Sequence, residues 1–462
     1  MSPDSNPIPA LLLPFELVSA IFILCLPLRR RVKPHPNRTP LNLASVCAQW
    51  RAVALAIPEL WTSIYLTFSG QDAYDGIPVL FGCVESIDLE DHAAALMDLW
   101  FTRAAGHPIS ISLTCAKHHS LPKGVLETMF KYCNQWGRIE LRISPSDFLA
   151  FNAITGPFSS LTSLRIEVTD FLPSSSRLAV NAMENSNRLT SYALTDSGNY
   201  RAPADVLARL PRTLRAVKLS FASNQNGFRI IDLSGFFSHI IDNLPHLGHL
   251  DVSVIHHGPQ LEVKRLPASM TTLRLGRDRL LQFLRIPTLQ HLHIFLETSA
   301  YLIPFIEHSQ CRLISLSVSL YWLTRDSWVS CLAALPKLET LLISVSDHSV
   351  IQRCQVLFDP ELVPRLRSLV LQEEYTLVPR FDQWLALLRF RTGLCHALLH
   401  VWPRHAQERR CMPQPPREIE AELEALWIYR YPWNAEELDP FGDLYPKPDG
   451  PLNLRPYHFS PF

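Results

Sequence analysis

His291 and His293 stand two apart in Leu289-Gln290-His291-Leu292-His293-Ile294, and His249 and Asp251 stand two apart in Leu247-Gly248-His249-Leu250-Asp251-Val252. Residues two apart on a strand share one face. A His-x-His pair so placed presents two imidazoles together, which suits a divalent metal if further ligands converge. The two pairs fall two repeats apart in the pattern described below. Strands of a sheet lie about 4.8 Å apart, so the pairs stand too far apart to share one ion. No metal is expected. Arg274, in Met270-Thr271-Thr272-Leu273-Arg274-Leu275, adds a cation between them. His249, Asp251, Arg274, His291 and His293 are therefore candidates for a polar recognition patch, the plainer reading being a solvated strand face.

Other reactive residues form no constellation. The ten cysteines are at 25, 47, 83, 115, 133, 311, 331, 354, 395 and 411, with no C-x-x-C. That spacing excludes a zinc ribbon or thioredoxin-like site and suits small buried apolar residues in a reducing compartment. Glu373-Glu374 and Glu436-Glu437 are adjacent and so diverge on a strand or helix, unlike a general acid/base pair. His118-His119 and His256-His257 fall in loop-like stretches. No G-x-G, Gly-Lys, G-x-S-x-G or H-E-x-x-H occurs, which removes dinucleotide, P-loop, α/β-hydrolase and zincin chemistry. A nucleophile and base that meet only in space leave no spacing signal, but nothing raises that reading. No catalytic residue and no cofactor is expected.

Composition narrows the class further. The 462 residues carry 43 Lys+Arg against 43 Asp+Glu, so no basic excess points to nucleic acid. Hydrophobic residues make up 47% and charged residues 19%, as in a folded globular chain. The most apolar stretch, Leu11 to Leu28, contains Pro14, Glu16 and Pro27 and no preceding Lys or Arg. It fits neither a signal peptide nor a membrane span, so the expectation is a cytoplasmic or nuclear protein with no membrane role.

The elements that position these residues begin with two short helices. Pro14 suits a first helical turn, and Leu17, Ile21 and Leu24, with Phe22 beside them, form an apolar stripe that Pro27 ends. Arg29 to Arg38 is a basic, proline-broken loop; a solvated loop is expected there, with a nuclear localisation signal as the alternative. Leu43, Val46, Cys47 and Trp50 then recur at i, i+3, i+4 and i+7, with Pro58 closing the stretch and Leu60-Trp61 following. A bundle of about fifty residues buries little surface, and this one has more large apolar residues than its own core hides. They either cap the next domain or await a partner helix.

The string Leu13-Pro14-x-Glu16-Leu17-x-x-x-Ile21-Phe22, then Val46-Cys47-x-x-Trp50-Arg51, then Pro58-x-Leu60-Trp61, resembles an F-box, close to the F-box-like form common in fungal proteins. The resemblance implies a three-helix motif that docks on the adaptor Skp1 and through it joins a cullin-RING ubiquitin ligase. It implies that Leu13, Pro14, Leu17, Ile21, Phe22, Val46, Cys47 and Trp50 supply adaptor contacts or their supporting core. The long basic connection from Pro27 to Pro40 departs from the short, often acidic loop of many F-boxes.

An internal repeat follows. The phrase L-x-x-L-x-L starts clearly at Leu161, Leu189, Leu214, Leu247, Leu289, Leu313, Leu338 and Leu366, and more weakly at Val84, Pro108, Trp136 and Met270. The copies recur about every 26 residues, within the range of leucine-rich repeats. Each L-x-L places two apolar side chains on one strand face, and stacking copies joins them into one core. Leu121–Tyr132 and Phe236–Leu244 read as helical return segments, and Leu394 to Val401 as one more strand. The region resembles the leucine-rich repeats that follow many F-boxes. The Asn or Cys expected after each phrase is missing, Thr169, Ser197, Ala222, Ile255, Glu297, Tyr321, Ser346 and Glu374 standing there. The residues between the apolar ones face outward, on the concave side where solenoids bind partners.

The expected fold is therefore α/β: a small N-terminal helical F-box bundle followed by a leucine-rich-repeat-like solenoid with a parallel sheet. The expected divisions are an F-box-like helical domain over 8–65, the solenoid over 80–402, a capping helix over 403–430 and a proline-rich tail over 431–462. In the capping segment Ile419, Leu423, Leu426 and Trp427 recur at helical spacing among Glu418, Glu420, Glu422 and Glu424. The expected function is the substrate-recognition subunit of an SCF-type ubiquitin ligase, binding Skp1 and an unidentified protein target. The alternatives are a repeat scaffold whose helices are only a cap, and an enzyme with an unrecognised site.

Overall fold

In the computed structural model the described residues are 13–27, 32–68, 86–116, 119–122, 124–154, 156–169, 186–196, 210–221, 233–253, 264–320, 323–345, 355–375, 386–387, 389–390, 394 and 396–403. The capping helix and tail expected beyond 403, His118, His256-His257 and Arg29 to Arg31 lie outside them. The fold is α/β: N-terminal helices followed by a large region of parallel strands. The chain divides into two compact units between Leu244 and Pro245.

The first unit opens with α1 (Phe15–Leu24), α2 (Leu41–Val46), α3 (Ala48–Ala56) and a 3-10 turn at Pro58–Trp61. It continues through β1 (Ser63–Phe68), α4 (Ser86–Arg103), β2 (Ile109–Cys115), α5 (Val125–Lys131), β3 (Trp136–Ile143), α6 (Pro145–Asn152), β4 (Ser163–Val168), β5 (Ser191–Asp196), β6 (Ala216–Phe221) and α7 (Leu233–Asn243). Strands β1 to β6 pair in chain order, every pair parallel.

The second unit contains β7 (His249–Ser253), β8 (Lys264–Arg265), β9 (Thr272–Leu275), β10 (Leu284–Arg285), β11 (His291–Leu296), α8 (Leu302–Ser309), β12 (Ser315–Leu320), α9 (Arg325–Ala333), β13 (Thr340–Val345), β14 (Ser368–Tyr375) and β15 (His396–Pro403). β7, β9, β11, β12, β13, β14 and β15 pair in chain order, again all parallel. β8 and β10 form a separate two-residue ladder.

The leucine phrase explains this order. Its first residue lies two positions before the strand and is buried in each described copy from Leu161 to Leu366. Its next two apolar positions line up across the ladder. Leu250, Leu273, Leu292, Leu316, Leu341 and Leu369 stand in one register row, and Val252, Leu275, Ile294, Val318, Ile343 and Leu371 in the next. All twelve are buried. The return segments supply the other half of this core through Leu302, Phe305, Trp328, Leu332, Val356 and Leu357.

Hydroxyls link successive copies in a way the sequence reading did not foresee. The residue before the leading apolar position donates to the carbonyl of the previous copy's leading residue: Thr213 Oγ1 to Leu189 at 2.7 Å, Ser269 Oγ to Leu247 at 2.8 Å and Thr288 Oγ1 to Met270 at 2.7 Å. The residue after it does the same one step along: Thr162 Oγ1 to Gly137 at 2.8 Å and Thr190 Oγ1 to Thr162 at 3.2 Å. These bonds lie at the N-terminal ends of the strands, whereas the missing asparagines would have stood at the other.

Two expectations need correction. The weak copy at Val84 is not a strand, since α4 begins at Ser86. Ala93, Met97, Trp100, Phe101 and Ala104 are buried at helical spacing, and that longer 3.6-residue period overrides the local alternation. The first strand is instead β1, directly behind Trp61, where Ile64, Leu66 and Phe68 alternate inward. The second correction concerns Leu43, Val46, Cys47 and Trp50, expected on one continuous helix. The backbone at Cys47 is extended (φ −158°, ψ 171°) and separates α2 from α3. Leu43 is buried, whereas Val46 is 60% exposed.

Candidate functional site

Two surfaces carry the residues singled out in the sequence, one in each unit. On the first, α1 turns Val18 and Phe22 inward, one helical turn apart. Phe22 meets Trp50 of α3. The Cys47 sulfur accepts the Trp50 backbone N–H at 3.4 Å, capping α3. Arg51 Nε donates to the Ala44 carbonyl at 2.9 Å, satisfying the end of α2 across the same break. Leu60 and Trp61 are fully buried, and Trp61 packs edge to face on Trp100 of α4 at 4.8 Å. The connection from α1 to α2 is also tied down: the Tyr65 N–H donates to the Val32 carbonyl at 2.8 Å, and Lys33 lies over the Tyr65 ring.

With Val18, Phe22 and Leu43 filling the interior, the other large apolar residues are left outside. Leu17 is 53% exposed, Ile21 44%, Leu24 83% and Leu13 38%; Phe15, Ile23 and Pro14 are exposed as well. Of the eight residues that the F-box resemblance marks, Leu13, Pro14, Leu17, Ile21 and Val46 are thus on the surface. Phe22 is core, and Cys47 and Trp50 are half-buried. The expected stripe Leu17, Ile21, Leu24 is therefore an outward stripe.

On the second surface, parallel pairing sets the five polar candidates side by side. Asp251, Arg274, His293, Ser317, Leu342 and Val370 occupy one register row across β7, β9, β11, β12, β13 and β14. His249, Thr272, His291, Ser315, Thr340 and Ser368 occupy the row beside it. Arg274 Nε lies 3.9 Å from Asp251 Oδ2. None of His249, Asp251, Arg274, His291 and His293 is free, each being held in a polar, ring or electrostatic interaction. Burial lowers the His291 pKa, favouring the neutral ring. The structure thus brings all five together on adjacent strands, with the His249/Asp251 and His291/His293 pairs two strands apart.

Arg274, His291 and His293 keep the partial exposure of the plainer reading, but their neighbours do not. Asp251 and Ser317 are fully buried, His249 and Ser315 are buried, and Leu342 and Val370 are 6% and 3% exposed. The Ser315 and Ser317 hydroxyls have no hydrogen-bond partner. The outward face of the first unit differs. There Arg165 pairs with Glu140 at 3.2 Å and Arg142 with Glu167 at 3.3 Å, all four at least partly exposed. Sequence reasoning noted the polar residues of the second face but not its apolar continuation. The signal was present, since Leu342 and Val370 break the polar alternation of β13 and β14.

No group of three or more His, Cys, Asp or Glu among the described residues is placed to hold a metal ion. Burial pushes the Cys311 thiol up to about 11 and the Cys331 thiol up to about 12, away from thiolate chemistry. Cys25, expected to be buried, is exposed at the end of α1. Among the described residues no helix is long and apolar enough to cross a membrane.

No family model matches the chain, and no curated protein matches it. Among solved structures it is similar to a crystal structure of a Bacteroides fragilis protein, at 13% identity and a TM-score of 0.33, over 69% of this chain and 84% of that one.

Proposed function

We propose that the protein is the substrate-recognition subunit of an SCF-type ubiquitin ligase. In this reading α1, α2 and α3 form an F-box-like bundle that docks on Skp1 and through it on a cullin-RING ligase. The parallel strands form a leucine-rich-repeat-like solenoid that recruits a protein target. The protein does no chemistry itself, and its place is cytoplasmic or nuclear.

The observation that carries the reading is the outward apolar stripe of α1. Leu17, Ile21 and Leu24, with Leu13 and Val46, stand exposed beside a bundle whose interior is already filled by Val18, Phe22 and Leu43. Contiguous exposed apolar residues of this size mark interaction surfaces, and a helix face with i, i+4 and i+7 anchors is one way a partner helix is recognised. The rival reading, a repeat scaffold with a helical cap, is favoured by the burial of Leu60 and Trp61 and by the Trp61–Trp100 contact. A cap, however, has no use for an apolar stripe on its outer side. Co-expression with Skp1 and size-exclusion chromatography tests the proposal. A stoichiometric complex supports it, and separate elution of two folded proteins contradicts it.

A further inference from the structure

The connection from α1 to α2 borders a cleft of about 270 Å³. Lys33 and Arg38 are its charged lining residues, and no Asp or Glu lines it. Asn37 and Asn42 add two amides, Thr39 a hydroxyl, and Cys25 lies at the end of α1.

The donors around this cleft are unspent. The side chains of Asn37, Arg38 and Thr39 make no hydrogen bond or ion pair with the described residues. Asn42 Oδ1 accepts the Leu43 N–H at 2.8 Å, so the group it has left over is the donor Nδ2. The Lys33 ammonium lies 4.8 Å from the centre of the Tyr65 ring. That contact places the charge without neutralising it. The lining therefore offers donors from Lys33, Asn37, Arg38, Thr39 and Asn42, two of them cationic, and no side-chain anion to meet them.

The backbone holds these groups in position. The Tyr65 N–H donates to the Val32 carbonyl at 2.8 Å, the Arg38 N–H to the His35 carbonyl at 2.9 Å and the Asn42 N–H to the Arg38 carbonyl at 3.0 Å. The Asn37 N–H donates to His35 Nδ1 at 3.2 Å. Pro34, Pro36 and Pro40 restrict the chain between them. A site fixed in this way loses little further order when it binds.

Such a lining matches a phosphoryl group. A phosphate monoester at neutral pH carries close to two negative charges and three strong acceptor oxygens. A guanidinium meets such oxygens with a fork of N–H donors, and an ammonium meets them as a point charge. A neutral ligand would leave the two like charges facing the same cleft uncompensated. We propose that the cleft binds a phosphoryl dianion, carried by a small phosphate monoester or by a phosphorylated side chain of another protein. The proposal stands whether or not α1 docks an adaptor.

Cys25 is exposed and lines the cleft, so its alkylation in the full chain reports occupancy. The reagent is N-ethylmaleimide, which is uncharged, and modification of the Cys25 peptide is followed by mass spectrometry at fixed pH and ionic strength. Inorganic phosphate should slow the reaction in proportion to occupancy, about tenfold at ten times its dissociation constant. Chloride at the same ionic strength should not. Lys33→Gln/Arg38→Gln changes two exposed side chains and should abolish the protection while circular dichroism stays native. Glycerol phosphate and a short phosphoserine peptide distinguish the two sources, the one that protects at lower concentration identifying the carrier. Absence of protection by all three phosphates, equal slowing by chloride, or undiminished protection in the variant would each overturn the proposal.

Discussion

The Phe22 ring meets the Trp50 ring edge to face, with centroids 5.1 Å apart and planes at 62°. This contact fixes the rotation of α1 about its axis. With Phe22 turned toward α3, Leu17 and Ile21 have to point away, because 100° per residue places them off the buried stripe. The exposed face is therefore a consequence of the core.

Phe22→Ala should cost about 3–5 kcal/mol, the usual range for emptying a buried aromatic site. Leu17→Asp should change stability by less than about 0.5 kcal/mol, as expected of a surface position. Urea unfolding followed by tryptophan fluorescence separates the two. Equal losses would mean that Leu17 is covered.

The hydroxyl links between copies predict a second pattern. Thr213→Val and Thr288→Val each leave a buried carbonyl without its donor while keeping side-chain shape, so each should cost about 0.5–1.5 kcal/mol. The two sites lie in different units, and their effects should add. No loss at either position would mean that water replaces the hydroxyl at no cost.

Tyr192 takes the place of a leucine in its phrase and is buried with its hydroxyl lacking a hydrogen-bond partner. Burial pushes its pKa up. Tyr192→Phe removes an unsatisfied polar atom without changing the ring, so stability should hold or rise, by up to about 2 kcal/mol. A loss on thermal denaturation would reveal a partner for that hydroxyl.

Asp278 is fully buried, and its Oδ2 accepts the Glu297 N–H at 2.9 Å and the Thr298 N–H at 2.8 Å. Desolvation raises its pKa above the usual 3.8 even against those bonds. As pH rises past 3.8 the unfolded chain releases this proton first. The folded state then holds more protons, so this group's contribution to stability falls until pH passes the raised value. Asp278→Asn keeps an oxygen acceptor and removes the titration, so the fall should vanish in denaturation curves taken across the carboxylate range. Asp278→Ala, which strands both N–H groups, should cost about 1–3 kcal/mol for each.

The α/β class, the order of the strands and the buried positions were legible because the leucine phrase writes strand alternation and repeat spacing together. β1 carries the phrase as Trp61-Thr62-Ser63-Ile64-Tyr65-Leu66, in the same form as the weak copy at Trp136, but was hidden because Trp61 was read as the close of the helical segment. The start of α4 was misread because Val84 to Leu89 holds two apolar residues at strand spacing, while the period that decides the matter lies downstream in Met97, Trp100 and Phe101. The break at Cys47 leaves no sign in apolar spacing, since a cysteine that caps a helix looks like one that continues it. The two-residue spacing of the polar candidates showed which of them share a strand face, and the parallel register sets them in neighbouring rows. The burial of His249 and Asp251 was invisible because it depends on what lies over the face, which no strand pattern encodes.

The central claim rests on the outward stripe of α1, and titration calorimetry with purified Skp1 tests it most directly. Wild type and the Leu17→Asp/Ile21→Asp variant are compared after circular dichroism and thermal melting show them equally folded. The account predicts one-to-one binding by wild type and at least a hundredfold weaker binding by the variant. No binding by wild type, or equal binding by both, would contradict it.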